Sequence, residues 1–179
     1  MVSEVETVSS MISSQAQKYN ASNVKVICMA WLKSFIESAG FNVVATFNPP
    51  ETLSAGDITA LSETAQTEGV ALIVDNLQID TEFGEAIASQ VGAQHLVLTN
   101  FPGAIPNTET LSKMLQYNAE QLFNSTVMWQ MASALDAQNA ELQNQLALFQ
   151  ISTSVLIVVV CVEALMILSQ RKHSSETKK

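Results

Sequence analysis

Short, nearly continuous apolar runs alternate along this chain with longer stretches whose apolar residues recur every three or four positions. Residues 24–29 (VKVICM), 42–47 (NVVATF), 70–74 (VALIV) and 94–99 (QHLVLT) read as strands. Residues 31–39, a segment capped by Ser54, and a segment capped by Asp80 read as the helices between them. Ser54 and Asp57 stand three apart, as a short form of the capping box. Gly40, Gly69 and Gly92 each fall where a helix hands over to a strand. Strands that are apolar throughout and alternate with helices predict a parallel sheet covered on both faces. The expected fold class is therefore α/β: a four-stranded, mainly parallel sheet with helices on both faces.

The flanks are helical. Val5, Val8 and Ile12 follow a three-four spacing, so residues 3–18 are expected to form a helix. A long helix is expected after Asn107-Thr108. In it Met128, Leu135, Leu142 and Phe149 recur every seven residues, with Ala132, Asn139 and Leu146 four later. This weak heptad stripe fits a stalk that pairs with a coiled-coil partner, or a solvated spacer. It runs into residues 151–168 (ISTSVLIVVVCVEALMIL), which as a helix reach roughly 27 Å, enough to cross a hydrocarbon core. β-Branched residues are compatible with a helix there, because lipid forces the backbone to satisfy its own hydrogen bonds. The expected organisation is the end of a backbone helix at 1–20, an α/β lobe at 21–124, a helical stalk at 125–148, a transmembrane helix at 149–170 and a basic tail at 171–179.

Charge orients the anchor. No Lys or Arg lies between Lys113 and Arg171, while the tail carries Arg171, Lys172, Lys178 and Lys179. The positive-inside rule puts the tail in the cytoplasm and the lobe on the extracellular side. The opening MVSEVETVSS has neither the basic nor the apolar region of a signal peptide. The chain is therefore expected to be part of a longer precursor or split protein, or else a tail-anchored protein with its lobe in the cytosol; the charge rule favours the first. Glu163, inside the span, either meets a transporter helix or sits near the headgroups.

The net charge of −9 argues against nucleic acid and anionic lipid as general partners, and is compatible with a cation ligand or with solubility alone. Cys28 lies in a strand and Cys161 in the span, so they are not expected to pair. Asn20-Ala-Ser and Asn124-Ser-Thr match the glycan acceptor pattern, which arises often by chance.

Ligands of an open parallel sheet bind at the carboxyl ends of its strands. Those ends carry Cys28-Met29-Ala30, Phe47-Asn48, Asp75-Asn76 and Thr99-Asn100. The chain has no GxGxxG, P-loop, CxxC or nucleophile elbow, and its two histidines form no Ser-His-Asp set. His95 opens the fourth strand, at the end of the sheet opposite the expected site, and reads as a structural or rim residue. No catalytic constellation emerges, so the chain is not expected to be an enzyme.

The order GFNVVATFNPPETLSAGDI, GVALIVDNLQ, FGEAIASQVGAQHLVLTNFPG and LSKMLQYNAEQL resembles the C-terminal lobe of the zinc/manganese-type substrate-binding proteins of ABC transporters. The resemblance covers about residues 3–124. The Gly-Phe-x-Val-Val strand, the Pro49-Pro50 break, the Gly-Val strand leading to Gln78 and the Tyr117-Asn118 pair carry most of it. It implies two α/β lobes joined by a backbone helix, with a divalent metal ion held between the lobes; residues 3–18 would be the end of that helix, and the N-terminal lobe would be a separate partner. Of the family's ligands, a His or Glu after the first strand and an Asp ending the last align near Met29 and at Asn100, both neutral. Met29 offers a thioether better suited to copper(I) than to zinc, and Asn100 a carbonyl oxygen. Asp75 is the one carboxylate among the strand ends at this edge. The expected metal residues are thus Asp75, Asn100 and Met29, and zinc binding by this lobe alone is expected to be weak, because a zinc site wants about four ligands.

The resemblance, together with the apolar span, implies a membrane-anchored solute-binding component, or half-component, of a zinc- or manganese-class metal-ion ABC uptake system, working with a permease. The alternative is a degenerate lobe that binds no metal and serves as an interaction or scaffold module.

Overall fold

The computed structural model describes the backbone of residues 2–176 and the side chains of residues 4–168; the side chains of the basic tail, Arg171 onward, lie outside this range. The chain divides into two compact units after Ala132.

The first unit is built on four strands: β1 (Lys25–Met29), β2 (Asn42–Phe47), β3 (Leu72–Asn76) and β4 (Gln94–Leu98). They pair in parallel, in the order β2-β1-β3-β4. β1 and β3 are central, so both of their faces are covered: Val26, Ile27, Cys28, Met29, Leu72, Ile73 and Val74 have no exposed surface. Burying such side chains completely stabilises by about 1.5–3 kcal/mol each, before the entropy of ordering them is set against it. The mainly parallel sheet expected from the pattern is parallel at every pairing.

Helices α1 (Val2–Lys18), α2 (Lys33–Ser38), α3 (Ala55–Glu68) and α4 (Glu82–Val91) surround the sheet. Parallel crossovers are right-handed, and the chain steps from β1 outward to β2, then back across β1 to β3 and on to β4. That reversal puts α2 on one face and α3 and α4 on the other. On the α2 side, Phe123 of α5 (Leu111–Glu176) stacks on Tyr19 at 5.8 Å and Phe41 at 5.4 Å. On the other side, Phe83 of α4 meets Phe47 of β2 edge-on at 5.4 Å.

The caps follow the local signals. Ser54 and Asp57 form the reciprocal capping box of α3, and α3 and α4 end on Gly69 (φ 63°) and Gly92 (φ 72°), left-handed positions that cost a side-chain-bearing residue more. Two local readings shift. Residues 30–32 form a 3-10 turn, so α2 begins only at Lys33. Asp80 accepts the Glu82 N–H (2.9 Å) from one residue before the N-cap, Thr81.

The second unit is helical, the part of α5 beyond Ala132. Its side chains from 133 to 168 are all exposed, and α5 contains a stretch long and apolar enough to cross a membrane. Within that stretch Ser152 and Thr153 donate to the Phe149 carbonyl (2.9 and 2.8 Å) and Ser154 to that of Gln150 (2.8 Å). The hydroxyls are thereby satisfied within the helix.

Candidate functional site at the carboxyl edge of the sheet

Strand order reverses between β1 and β3, and open parallel sheets take ligands at the carboxyl ends of the strands beside such a reversal. Met29 ends β1. Its side chain is fully buried, and its Sδ accepts the Trp31 N–H at 3.4 Å. The apolar run that makes β1 a central strand also draws this thioether into the core. Asn100, two residues beyond β4, is exposed.

Asp75 has a different setting. β3 extends through Asn76 rather than ending at Val74, so Asp75 sits within the strand and is fully buried. Its Oδ2 lies 2.7 Å from His95 Nε2. Parallel pairing sets Ile73 beside His95 and Asp75 beside Val97, so all four side chains share one face. The imidazole reaches along the strand to the carboxylate, although His95 is the second residue of β4, towards the other end of the sheet. Gly84 of α4 lies directly above; a Cβ there would collide with the Asp75 carboxylate. Asp75 Oδ1 has no hydrogen-bond partner among the described residues.

On the opposite face a polar network holds the edge loops together. Asn118 of α5 donates Nδ2 to the Thr99 carbonyl (2.7 Å), and its Oδ1 accepts the Thr99 N–H (3.3 Å). Gln78 Nε2 donates to Thr99 Oγ1 (3.1 Å), and Asn76 Oδ1 accepts the Gln78 N–H (2.9 Å). Asn76 Nδ2 is buried without a partner among the described residues. The Gln78 and Asn118 positions stood out in the sequence, but their mutual role through Thr99 did not.

The three candidate ligands are thus placed differently: Met29 in the core, Asp75 against His95 beneath α4, and Asn100 in solvent. Among the described residues no group of three or more His, Cys, Asp or Glu side chains is placed to hold a metal ion. Cys28, on the α2 face, is held as a thiol: burial and the Glu37 charge push it up to about 12, against the opposing pull of Lys33.

This parallel sheet with its helices has the fold of a lobe of a solute-binding protein. Residues 1–125 match the family model of the zinc-uptake complex component A, periplasmic (ZnuA), and the chain belongs to that family. The fold is similar to that of the Mn-bound periplasmic metal binding protein from candidatus Liberibacter asiaticus (TM-score 0.58, 11% identity, covering 69% of this chain and 48% of that one). It is also similar to the Cd-bound form of that protein (TM-score 0.58, 12% identity, 69% and 48%). A mutant of the laminin-binding adhesin from Streptococcus agalactiae is a third such structure (TM-score 0.55, 15% identity, 68% and 46%). The chain spans about half the length of each of these structures. No curated protein matches it.

Proposed function

We propose that the chain is the membrane-anchored solute-binding component, or half-component, of a metal-ion ABC uptake system of the zinc or manganese class, presenting a divalent cation to a permease and having no catalytic activity. The observation that carries this reading is the family match over residues 1–125 on a parallel-sheet lobe. The apolar stretch of α5 supports an anchor. Tethering keeps a receptor at an effective concentration of about millimolar beside its permease. The lobe is placed outside and the tail inside, because bases are absent between Lys113 and Arg171. In domain terms we propose a backbone-helix end at 1–20, the lobe at 21–124, the stalk at 125–148, the span at 149–170 and the tail at 171–179. Protease added to intact cells should then digest the lobe and spare the tail.

For the metal residues, Asn100 is free to take a ligand, whereas Asp75 would first have to leave His95 and Met29 would have to leave the core. Alone, this lobe therefore holds zinc weakly, and the missing ligands come from a second lobe. The test is calorimetric titration of the purified full chain in detergent with zinc and with manganese. Submicromolar affinity lost on Asn100→Ala or Asp75→Ala would mean that the single lobe is a complete receptor. A second reading, an interaction module without metal, is favoured by one observation, the commitment of Asp75 to His95. It gains ground if addition of the matching N-terminal lobe still yields no metal affinity.

A further inference from the structure

Three large apolar side chains stand at the carboxyl edge without a role in the site above. Trp31, Leu77 and Phe101 are 55%, 41% and 57% exposed. They follow β1, β3 and β4, strands that lie side by side. At a strand spacing of about 4.8 Å, their points of attachment span roughly 10 Å. Single exposed apolar residues are ordinary, but three gathered on the ligand edge of a sheet mark an interaction site.

Each is presented on fixed backbone. The N–H of Trp31 donates to Met29 Sδ (3.4 Å), that of Leu77 to the Leu98 carbonyl (2.8 Å) and that of Phe101 to Thr99 Oγ1 (3.1 Å). Thr99 is in turn held by Asn118 and Gln78. Side chains mounted this way lose little freedom on association, and Trp and Phe are among the residues that concentrate at interface centres.

Charge selects the partner. The four connections at this edge, together with the first residue of each helix they lead into, carry Glu51, Asp80, Glu82 and Glu109 and a single base, Lys33, which pairs with Glu37 at 3.7 Å. Glu109 pairs with Lys113 of α5; the other three acids have no basic partner among the described residues. An acidic rim is repelled by anionic headgroups, which disfavours a lipid surface. A second copy in two-fold contact would set acid against acid. A basic segment meets the rim favourably, and its apolar residues cover the three side chains.

We propose that this edge docks a protein segment presenting apolar side chains flanked by Lys or Arg. The docking does not depend on a metal in the lobe. The test uses the full chain in its native membranes, with a photoreactive benzophenone side chain in place of Leu77 or Phe101. The control position is Thr67, exposed at the other end of the sheet next to the Lys25–Glu68 pair. The expected result is one protein adduct shared by positions 77 and 101 and absent at 67, mapping to a segment with Lys or Arg beside apolar residues. Trp31→Glu should reduce its yield by about tenfold or more, as loss of a central aromatic anchor does. Phe101→Ser should do so in the variant labelled at 77, with an unchanged circular-dichroism spectrum in both cases. Added salt should weaken the adduct. Adducts to lipid alone, to a second copy alone, to a segment without bases, equal labelling at 67, or no adduct at all would each overturn the proposal.

Discussion

Replacing Gly84 with Ala is the sharpest test of how the buried carboxylate is housed. In most exposed helix positions this change stabilises, by about 1 kcal/mol of helix propensity. Here the added Cβ would stand 2.7 Å from Asp75 Cγ and 2.9 Å from Oδ1, with Oδ2 closer still. An Asp side chain is short and this one sits on a central strand, so it cannot swing clear without leaving His95. Overpacking costs about 1–3 kcal/mol. Leaving a buried carboxylate without its hydrogen-bond partner costs about 1–3 kcal/mol, and less if α4 shifts instead and keeps the contact. Offsetting the propensity gain, the net loss should be about 3 kcal/mol, which is roughly a hundredfold in the folding equilibrium. Urea denaturation of the full chain in detergent, followed by the tryptophan fluorescence of the first unit, measures it. Asp75→Ser in the Gly84→Ala background should cost less than the two single changes added together, because the smaller side chain removes the collision. A Gly84→Ala variant as stable as the parent would refute the rigid close approach, as would strict additivity in the double variant.

Other outcomes follow from separate parts of the fold. Cys28 keeps its proton to about 12 when folded, whereas the unfolded thiol loses it near 9.0. Its contribution is thus complete below pH 9 and is lost as pH rises towards 12, by about 1.4 kcal/mol per unit; urea midpoints at rising pH should fall more steeply for the parent than for Cys28→Ala. Ser54→Ala removes the capping box of α3, whose hydrogen bonds hold the Asp57 carboxyl below its usual value. The parent should therefore melt higher than the variant at neutral pH, and the gap should close as acid protonates Asp57. Asn118→Ala leaves the buried N–H and carbonyl of Thr99 without their partner and should destabilise by about 1–3 kcal/mol, read from the same urea curves.

Signals closed within a few residues were legible in the sequence. The Ser54–Asp57 box needs only three residues, and Gly69 and Gly92 act on the backbone where they stand, so the helices and the β-α alternation followed from the letters. Asp75 did not. Its setting depends on where β3 ends and on the register of β4, and neither is encoded near it. Two more residues of strand turn an edge carboxylate into a buried one, and a parallel register brings His95 to it from the start of the next strand. Met29 was read as an available thioether because it aligns near a ligand position of the family after the first strand, yet the same apolar run that marks β1 fills the core with it. The edge aromatics were likewise visible only as isolated apolar letters. Strand order gathers them.

The contact among Asp75, Gly84 and His95 closes within a single strand–helix–strand segment, only 20 residues separating acid from imidazole. The β1–β3 ladder, which ties Val26 to Leu72, needs a much longer loop to close and more chain entropy to be lost first. Local contacts form earlier than distant ones when both are strong. This sets an order of events during folding: β3, α4 and β4 assemble as a seed, and β1 with β2 add to its free edge. In pulse-labelling hydrogen exchange, the amides that join Leu72–Asn76 to Gln94–Leu98 should gain protection before those that join Lys25–Met29 to Leu72–Asn76. His95 would then act early, as the fastener that fixes the register of β4 while most of the sheet is still to come.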